Sequence, residues 1–584
     1  MIIQKKHLVI QNSKSNLLNL TVFSLMNNYK WLFRDYSSNE IQNISNNLGV
    51  KDYVAKLLNI KQIKTKDSAM IFFNPSISSL IDPFLMKSMH EAVERLSIAI
   101  NQNEKIMIYG DYDVDGITSV AMMYMFLNKF TDNIEFYIPD RNNEGYGISI
   151  ESINYAKSNN VNLIVALDCG IKSCDEVSYA KSKKIDYIIC DHHEQGEEIP
   201  DAVAVLDPKR KDCNYPFKYL SGCGVGFKLI HAYCISNNLS FDLVKEYFDL
   251  LAISVIADMV PLIDENRIFV FHGLLEINNN RNKPISLIIK SLNIENKVLS
   301  EDISYKIAPL LNSSGRLSSA ELGVKALLSD RKINSYAIIK SLIDLNNQRK
   351  EIQKEILNEA DLALNSSKKS IIVFSENWHK GIVGIIASNL VDKYNKPSIV
   401  LTQEKNNLVG SVRTAKGINV LEILNKCSAF LTKYGGHKSA AGLSLTRENL
   451  NRFQDLFEEE VVKVSNELTN DKQITIDLVL SIDEINYILY RTIMRFAPFG
   501  LGNKAPVFCT NEINNFKLSL VGNNDSHLKG IITGTSKSFE FIGFNLGHKY
   551  DYLCKSEVIN ICYTIYEDSW RGEKTLKLKL IDIN

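Results

Sequence analysis

Three aspartates occupy alternate positions in Tyr109–Ser119, YGDYDVDGITS: Asp111, Asp113 and Asp115, followed at once by Gly116. Carboxylates at this spacing repel one another and resist joint ionisation unless a cation lies among them. The pattern matches the first half of a calcium-binding EF-hand loop. The loop's twelfth position, however, is Met122 where a bidentate glutamate belongs, and the preceding KIMIY reads as a strand rather than a helix. Other apolar runs end in the same kinds of residue. Asp168 closes NLIVALDCG, and Asp191, His192 and His193 close DYIICDHH. Asp258 ends the apolar stretch LLAISVIADMVPL, shortly before Pro261. Any one such acid is ordinarily a turn residue or a helix cap; the full set points to a ligand constellation. Carboxylates with imidazole suit a borderline divalent ion such as manganese better than calcium, which prefers all-oxygen cages. Six or so such ligands are enough for two ions sharing a bridging carboxylate. Two ions roughly 3.5–4 Å apart clamp the attacking and leaving oxygens of a phosphoryl displacement. The chemistry expected is phosphoester hydrolysis.

These residues need a scaffold that brings separate chain segments to one rim. Between about 76 and 265 short apolar runs (KIMIYG, IEFYIPD, NLIVALDCG, DYIICDHH, AVAVLDPK) alternate with helical stretches, which predicts βαβ units and a mainly parallel sheet. In such a sheet, functional groups gather beyond the carboxyl ends of the strands. Residues 1–75 read as mostly helical, and 326–368 as a long polar connecting helix. A second α/β unit is expected over 369–462. From 463 to 584, SFEFIGF and TLKLKLID alternate strictly and VINICYTIY is β-rich, as expected of a small barrel or sandwich. The fold class expected is therefore multidomain α/β with a C-terminal β-barrel.

With 584 residues the chain is too long for one ordinary domain. Lys plus Arg and Asp plus Glu balance at 67 each, so a nucleic-acid surface would have to be a local basic groove. The ten cysteines include no CxxC pair, and several sit in apolar runs, as Cys190 and Cys562 do; they read as buried small residues in a reducing compartment. The N-terminal segment contains no apolar run long enough for a signal-peptide core or a membrane span, so a cytoplasmic protein is expected.

YGDYDVDG, the strand-end Asp168, DHH and Asp258 resemble the motifs of the DHH phosphoesterase superfamily. The rest of the chain, from about residue 30 onward, resembles its RecJ branch of single-strand-specific 5′→3′ DNA exonucleases. NEGYGIS, LDPKRKDCNYPFKYLSGCGVGFKL, IAPLLNSSGRL, WHKGIVGIIASNL, GGHKSAAG and FAPFGLGNKAPVF stand in the order of that family's landmarks. The resemblance implies a DHH domain over 76–325, a DHH-associated domain over 369–462 and an oligonucleotide-binding fold over 463–584. It implies two divalent ions, manganese or magnesium, on Asp111, Asp113, Asp115, Asp168, His192 and Asp258, with Asp168 bridging. Many relatives carry a histidine at the position of Tyr109, so one ligand has to come from elsewhere. His193 is expected beside the scissile phosphate, Asp115 and Asp168 at the reacting centre, and Asp191 as the partner that orients a histidine.

Any one arginine on its own reads as surface charge, but the resemblance implies that Arg141, Arg316, Ser411, Arg413 and His437 contact substrate phosphate; a planar guanidinium can bind phosphate oxygens bidentately. Relatives often carry arginine where this chain has Leu310, which puts one backbone contact in doubt. The SAAG that follows His437 could open a helix whose N-terminus favours anions. Phe539, Phe541, Tyr563, Tyr566 and Trp570 are candidate base-stacking platforms, though aromatic residues of this kind are more often barrel core. The activity implied is release of 5′-mononucleotides from single-stranded DNA in repair and recombination, by a monomer working with a helicase and single-stranded-DNA-binding protein, with no membrane involved. The alternative is a DHH phosphodiesterase acting on short oligoribonucleotides or cyclic dinucleotides. Activity should fall as acid protonates His192.

Overall fold

The structure, a computed structural model, describes residues 29–584 apart from 142, 146, 281, 330–331, 366, 416, 466–471 and 571–572. Residues 1–28 of the expected N-terminal helical segment lie outside it. The chain divides into two compact units. One joins Asp35–Arg349 to Asp477–Asn584; the other joins Lys350–Ile476 to the stretch ending at Arg34. The described chain begins with a short strand, β1 (Lys30–Phe33), within a region read as helical. Helices Ser38–Leu48, Asp52–Ile60 and Lys66–Phe73 follow it.

The first unit is built around a five-stranded sheet of β2 (Ile106–Gly110), β3 (Ile134–Tyr137), β4 (Leu163–Leu167), β5 (Asp186–Cys190) and β6 (Ala204–Leu206). All its pairings are parallel, in the order β3-β2-β4-β5-β6. Strands covered on both faces need apolar side chains on both, and β2 and β4 are buried along their whole lengths. The chain leaves β2 for β3 on one side and returns to β4 on the other. That reversal opens a crevice beyond the carboxyl ends of β2 and β4, the place where ligands bind in open parallel sheets. Asp113 caps the helix Val114–Leu127 that leaves β2: its Oδ1 accepts hydrogen bonds from the backbone N–H groups of Asp115 and Gly116.

The other unit holds β7 (Ile371–Phe374), β8 (Ser398–Glu404), β9 (Asn407–Arg413), β10 (Lys433–His437) and β11 (Ala440–Thr446) in the order β10-β11-β9-β8-β7, and β12 (Gln473–Ile476) pairs with β1. The polar connecting segment forms the helix Lys332–Leu362.

The C-terminal part of the first unit is a seven-stranded sheet, β13 (Leu478–Val479), β14 (Phe508–Ile513), β15 (Phe516–Val521), β16 (His527–Thr533), β17 (Ser538–Gly543), β18 (Ile559–Trp570) and β19 (Glu573–Ile583), in the order β13-β14-β18-β19-β17-β16-β15. Its strands alternate because one face packs inward: Phe541, Tyr563 and Leu578 lie in one core with Ile44, Leu57 and Leu58 of the N-terminal helices. Among the described residues no helix is long and apolar enough to cross a membrane.

Candidate metal centre

The crevice at the ends of β2, β4 and β5 gathers Asp111, Asp113, Asp115, Asp168, His192 and His193, and Asp258 joins them from the C-cap of helix Phe248–Ala257. Three triads bring ligand atoms within 4.8 Å of one another: Asp111 with Asp113 and Asp168; Asp115 with His192 and Asp258; and Asp168 with His192 and His193. Asp168 and His192 each belong to two of them.

The imidazole of His192 is central. Its Nε2 lies 3.1 Å from Asp168 Oδ1 and 3.7 Å from both Asp115 Oδ2 and Asp258 Oδ2. The 3.1 Å approach lacks hydrogen-bonding geometry, so Nε2, Nδ1 and Asp168 Oδ1 are all buried without a hydrogen-bond partner, as is Asp111 Oδ1. Orphaned buried polar atoms are costly. Nε2, Asp168 Oδ1 and Asp111 Oδ1, in residues that make up the acidic triads, fit a site for divalent cations, and the mixed carboxylate–imidazole donor set suits a borderline ion such as manganese better than calcium.

The electrostatics agree. Burial, followed by the charge of Asp115, raises the Asp168 carboxyl well above its ordinary range, and Asp258 is raised by the same causes in the same order. Asp111 is raised by burial and then by Asp113, and Asp113 by burial and then by Asp115. Burial also pulls the His192 imidazole down to about 4 against the pull of Asp115, leaving it neutral and able to ligate near neutrality.

Asp115 is held differently. Its Oδ2 accepts a hydrogen bond from Gly222 N–H at 2.6 Å, and its Oδ1 accepts from Cys223 N–H at 2.9 Å and from Ser254 Oγ–H at 2.6 Å. Gly222 must be glycine here, because a Cβ would stand 2.5 Å from Asp168 Cβ. Asp191 turns away from the triads: Oδ2 accepts from Ile171 N–H, and Oδ1 from the N–H groups of His192 and His193. The Asp191–His193 contact is 2.7 Å, from Oδ1 to Nδ1. Burial opposes a charge on His193, but this bond and the Asp191 carboxylate carry the imidazole up to about 9. Tyr109 has no place among the ligands. It is buried, donates to Gly147 O at 2.7 Å and stacks on Tyr137.

Arg141 and Arg316 both act on Tyr112 of the aspartate loop. The Arg141 guanidinium lies 4.9 Å from the Tyr112 ring centroid. Burial, then Asp111 and Asp113, push the Tyr112 phenol up to about 12, against the pull of both arginines. Arg316 ends the helix Ala308–Leu317, which docks on the aspartate loop through Asn312 Oδ1, an acceptor for Val114 N–H, and through Gly315, where a Cβ would meet Tyr112 O at 2.3 Å. Leu310, on the same helix, is fully buried in the core and carries no surface contact.

Ser411, Arg413 and His437 belong to the other unit. Arg413 Nη1 donates to Ser411 Oγ at 2.6 Å and to Val412 O at 2.8 Å. Gly384, on the helix Lys380–Tyr394, leaves bare backbone beside them: a Cβ there would stand 3.3 Å from Ser411 Oγ and 3.4 Å from Arg413 Nη2. His437 is exposed at the end of β10. The helix expected after it is instead strand β11, a hairpin partner of β10. The hairpin brings Gly436, at φ +149°, so close that a Cβ would meet Ala440 O at 2.4 Å. Among the candidate stacking residues, Phe539, Phe541 and Tyr563 are buried, Tyr563 beside Thr510 Oγ1 at 3.0 Å, and so are core. Tyr566 is half-buried, and the Trp570 side chain lies outside the described residues.

Sequence reading missed Ser254, Gly222 and Asn312. One signal was available for Ser254, the one hydroxyl of the helix, one turn before Asp258 in the apolar run LLAISVIA.

Comparison with known proteins agrees with this architecture. The DHH family N-terminal domain matches residues 105–255, the DHHA1 domain 367–463 and the RecJ OB domain 476–582. The single-stranded-DNA-specific exonuclease RecJ of Bacillus subtilis (strain 168) is 33% identical over 567 residues, covering 96% of this chain and 71% of its own length. The chain belongs to the RecJ family. The RecJ of Escherichia coli (strain K12) is 28% identical over 534 residues, 87% of this chain and 92% of that protein. The RecJ fold itself is matched by the crystal structure of RecJ in complex with Mn2+ from Thermus thermophilus, at a TM-score of 0.82 and 22% identity over 95% of this chain and 79% of that one. A structure of exonuclease RecJ bound to manganese matches at a TM-score of 0.60 and 27% identity, over 68% of this chain and 99% of its own.

Proposed function

We propose that this chain is a metal-dependent 5′→3′ exonuclease specific for single-stranded DNA, hydrolysing phosphodiester bonds to release 5′-mononucleotides in DNA repair and recombination. The observation that carries the chemistry is the crevice of orphaned carboxylate and imidazole atoms around His192. The relatives named as single-stranded-DNA-specific exonucleases carry the substrate class.

Asp111, Asp113, Asp115, Asp168, His192 and Asp258 would hold two divalent ions, manganese or magnesium. Bound there, the ions would supply Lewis acidity toward a phosphoryl oxygen and an acidified water near neutral pH. The chain's own residues do the rest. Asp168, common to two triads, is the candidate bridging carboxylate. His193, kept cationic by Asp191, presents a positive charge beside the cluster where charge develops on the phosphoryl oxygens. Arg141, over the Tyr112 ring, and Arg316, whose charge acts on the same phenol, are assigned to substrate phosphate, and their forked guanidinium groups suit a terminal phosphate better than an internal one. Ser411, Arg413 and His437 are assigned to phosphate on their chemistry and on the resemblance of their motifs.

We assign single-stranded-DNA-binding protein and a DNA helicase as partners, and the cytoplasm as the compartment, from the repair role. A phosphodiesterase of short oligoribonucleotides or cyclic dinucleotides would have no evident use for the C-terminal domain matched at 476–582. The test is digestion of 5′- and 3′-end-labelled DNA with Mn2+, with a chelator control, beside a two-residue RNA. Immediate loss of the 5′ label from single strands, abolished by chelator, is expected. Equal attack on duplex, or cleavage of the RNA alone, overturns the reading.

A further inference from the structure

Ser254 is fully buried in the apolar helix that ends at Asp258. Its hydroxyl donates to Asp115 Oδ1 at 2.6 Å, and its carbonyl accepts the Asp258 N–H at 2.9 Å. Ser254 thus holds one of the two carboxylates that face His192 Nε2 at 3.7 Å by its side chain, and the backbone that carries the other by an ordinary helix bond. The direction of the hydroxyl is fixed from behind. Ser221 Oγ, which accepts from Gly224 N–H at 3.1 Å, lies 2.6 Å from Ser254 Oγ. Ser221 has a single hydroxyl proton, and with Ser254 committed to Asp115 that proton goes to Ser254. The relay runs Gly224 N–H, Ser221, Ser254, Asp115, and it starts in the first turn of helix Gly222–Ser236, whose N–H groups of Gly222 and Cys223 also hold Asp115.

We infer that Ser254 is a positioning residue for the metal centre, fixing the Asp115 carboxylate in one rotamer. The inference rests on the metal-centre reading above. Without the hydroxyl, Asp115 keeps the Cys223 N–H on Oδ1 and the Gly222 N–H on Oδ2, and loses the one side-chain bond of the three that fix its orientation toward His192. Partners that orient metal ligands typically change metal affinity about 10–100-fold when removed.

The test is Mn2+ binding to the full chain, read from the free-ion electron paramagnetic resonance signal during titration and needing no DNA. Ser254→Ala is expected to bind Mn2+ about tenfold or more weakly than wild type, and Ser254→Thr, which keeps the hydroxyl, to recover most of that loss. Both variants are checked for folding by circular dichroism. If the folded alanine variant binds Mn2+ as wild type does, or if the threonine variant is as weak as the alanine variant, the inference is overturned. If Ser254→Ala does not fold, Ser221→Ala serves instead: weakened Mn2+ binding supports the relay and unchanged binding overturns it. Failure of the wild-type chain itself to bind Mn2+ would sink the metal-centre reading, which separates the two failures.

Discussion

Oδ1 of Asp191 lies 2.7 Å from Nδ1 of His193. The contact gives each partner a charge that burial alone would oppose. His193 rises to about 9 and the Asp191 carboxyl falls below its ordinary range, held down mainly by the His193 bond and charge against burial. Stability from the raised histidine is complete below about 6.5, its ordinary value, and is lost as pH rises through about 9. Stability from the lowered aspartate is present above about 3.9 and is lost as pH falls through its folded value.

Asp191→Asn should therefore destabilise the chelator-treated protein most between roughly pH 4 and 6.5, and the difference should shrink above pH 9. Nuclear magnetic resonance titration should find the His193 imidazole lowered toward about 6.5, and exonuclease activity near neutrality should drop about 10–100-fold. A His193 titration unmoved by the substitution would show that the pair does not set its charge.

The response to pH also separates His192 from the carboxylates. Burial lowers the His192 imidazole to about 4 and raises the carboxyls of Asp111, Asp113, Asp168 and Asp258, so the acid limb of activity is expected to follow those carboxylates ahead of His192. A raised carboxylate keeps its proton longer in the folded state, so its contribution to stability falls as pH rises above about 3.9. Mn2+ must displace those protons. The rise in melting temperature on adding Mn2+ should be larger at pH 8 than at pH 5.5, and Asp168→Asn should lose most of it at both. An equal Mn2+ shift at the two pH values would contradict this assignment.

What the sequence revealed of this site follows from how each residue is held. Asp111, Asp113, Asp168 and the Asp191–His193 run end apolar strands or cap the following helix, and strand ends are local features. The parallel sheet was legible for the same reason, since β2 and β4 are unbroken apolar runs and β5 is one after Asp186. Ser254, Gly222 and Asn312 act across 139, 107 and 198 residues, and no local pattern encodes a hydrogen bond of that span. The hairpin after His437 was misread for a related reason. GGHKSAAG carries helix-compatible residues, but pairing of Ala440–Thr446 with β9 and β10 outweighs that local preference. Leu310, where an arginine was expected by resemblance, is a fully buried core residue.

End recognition should reside in the arginines beside Tyr112. Hydrogen bonds to charged groups contribute about 1.5–3 kcal/mol each. Arg316→Ala should therefore lower kcat/KM on 5′-phosphorylated single strands by about 10- to 150-fold, with a much smaller effect on strands ending in a 5′-hydroxyl. Arg141→Ala should behave alike, less strongly if its stacking on Tyr112 mainly orders the loop. Kinetics on the paired substrates measure this directly. An equal loss on both kinds of end would place the arginines on internal phosphates instead.

Gly315 offers a test of how the aspartate loop is braced. A Cβ at this position would lie 2.3 Å from the Tyr112 carbonyl oxygen, a backbone atom between Asp111 and Asp113 that cannot swing aside as a side chain would. On the same helix, Asn312 Oδ1 accepts the Val114 N–H, so helix and loop cannot separate without losing a hydrogen bond in this partly buried contact. Gly315→Ala is expected to cost about 1–3 kcal/mol of stability through overpacking. It should also reduce Mn2+ affinity, because relief of the contact moves the backbone carrying two of the candidate ligands. Ala320, whose Cβ would stand 3.3 Å from the new methyl, adds to the crowding. Ala320→Gly in the Gly315→Ala background should therefore recover little of the loss, since the carbonyl contact remains. Denaturant unfolding with and without Mn2+ measures both effects, and a Gly315→Ala protein with wild-type stability and wild-type Mn2+ binding would show that the loop is not braced there.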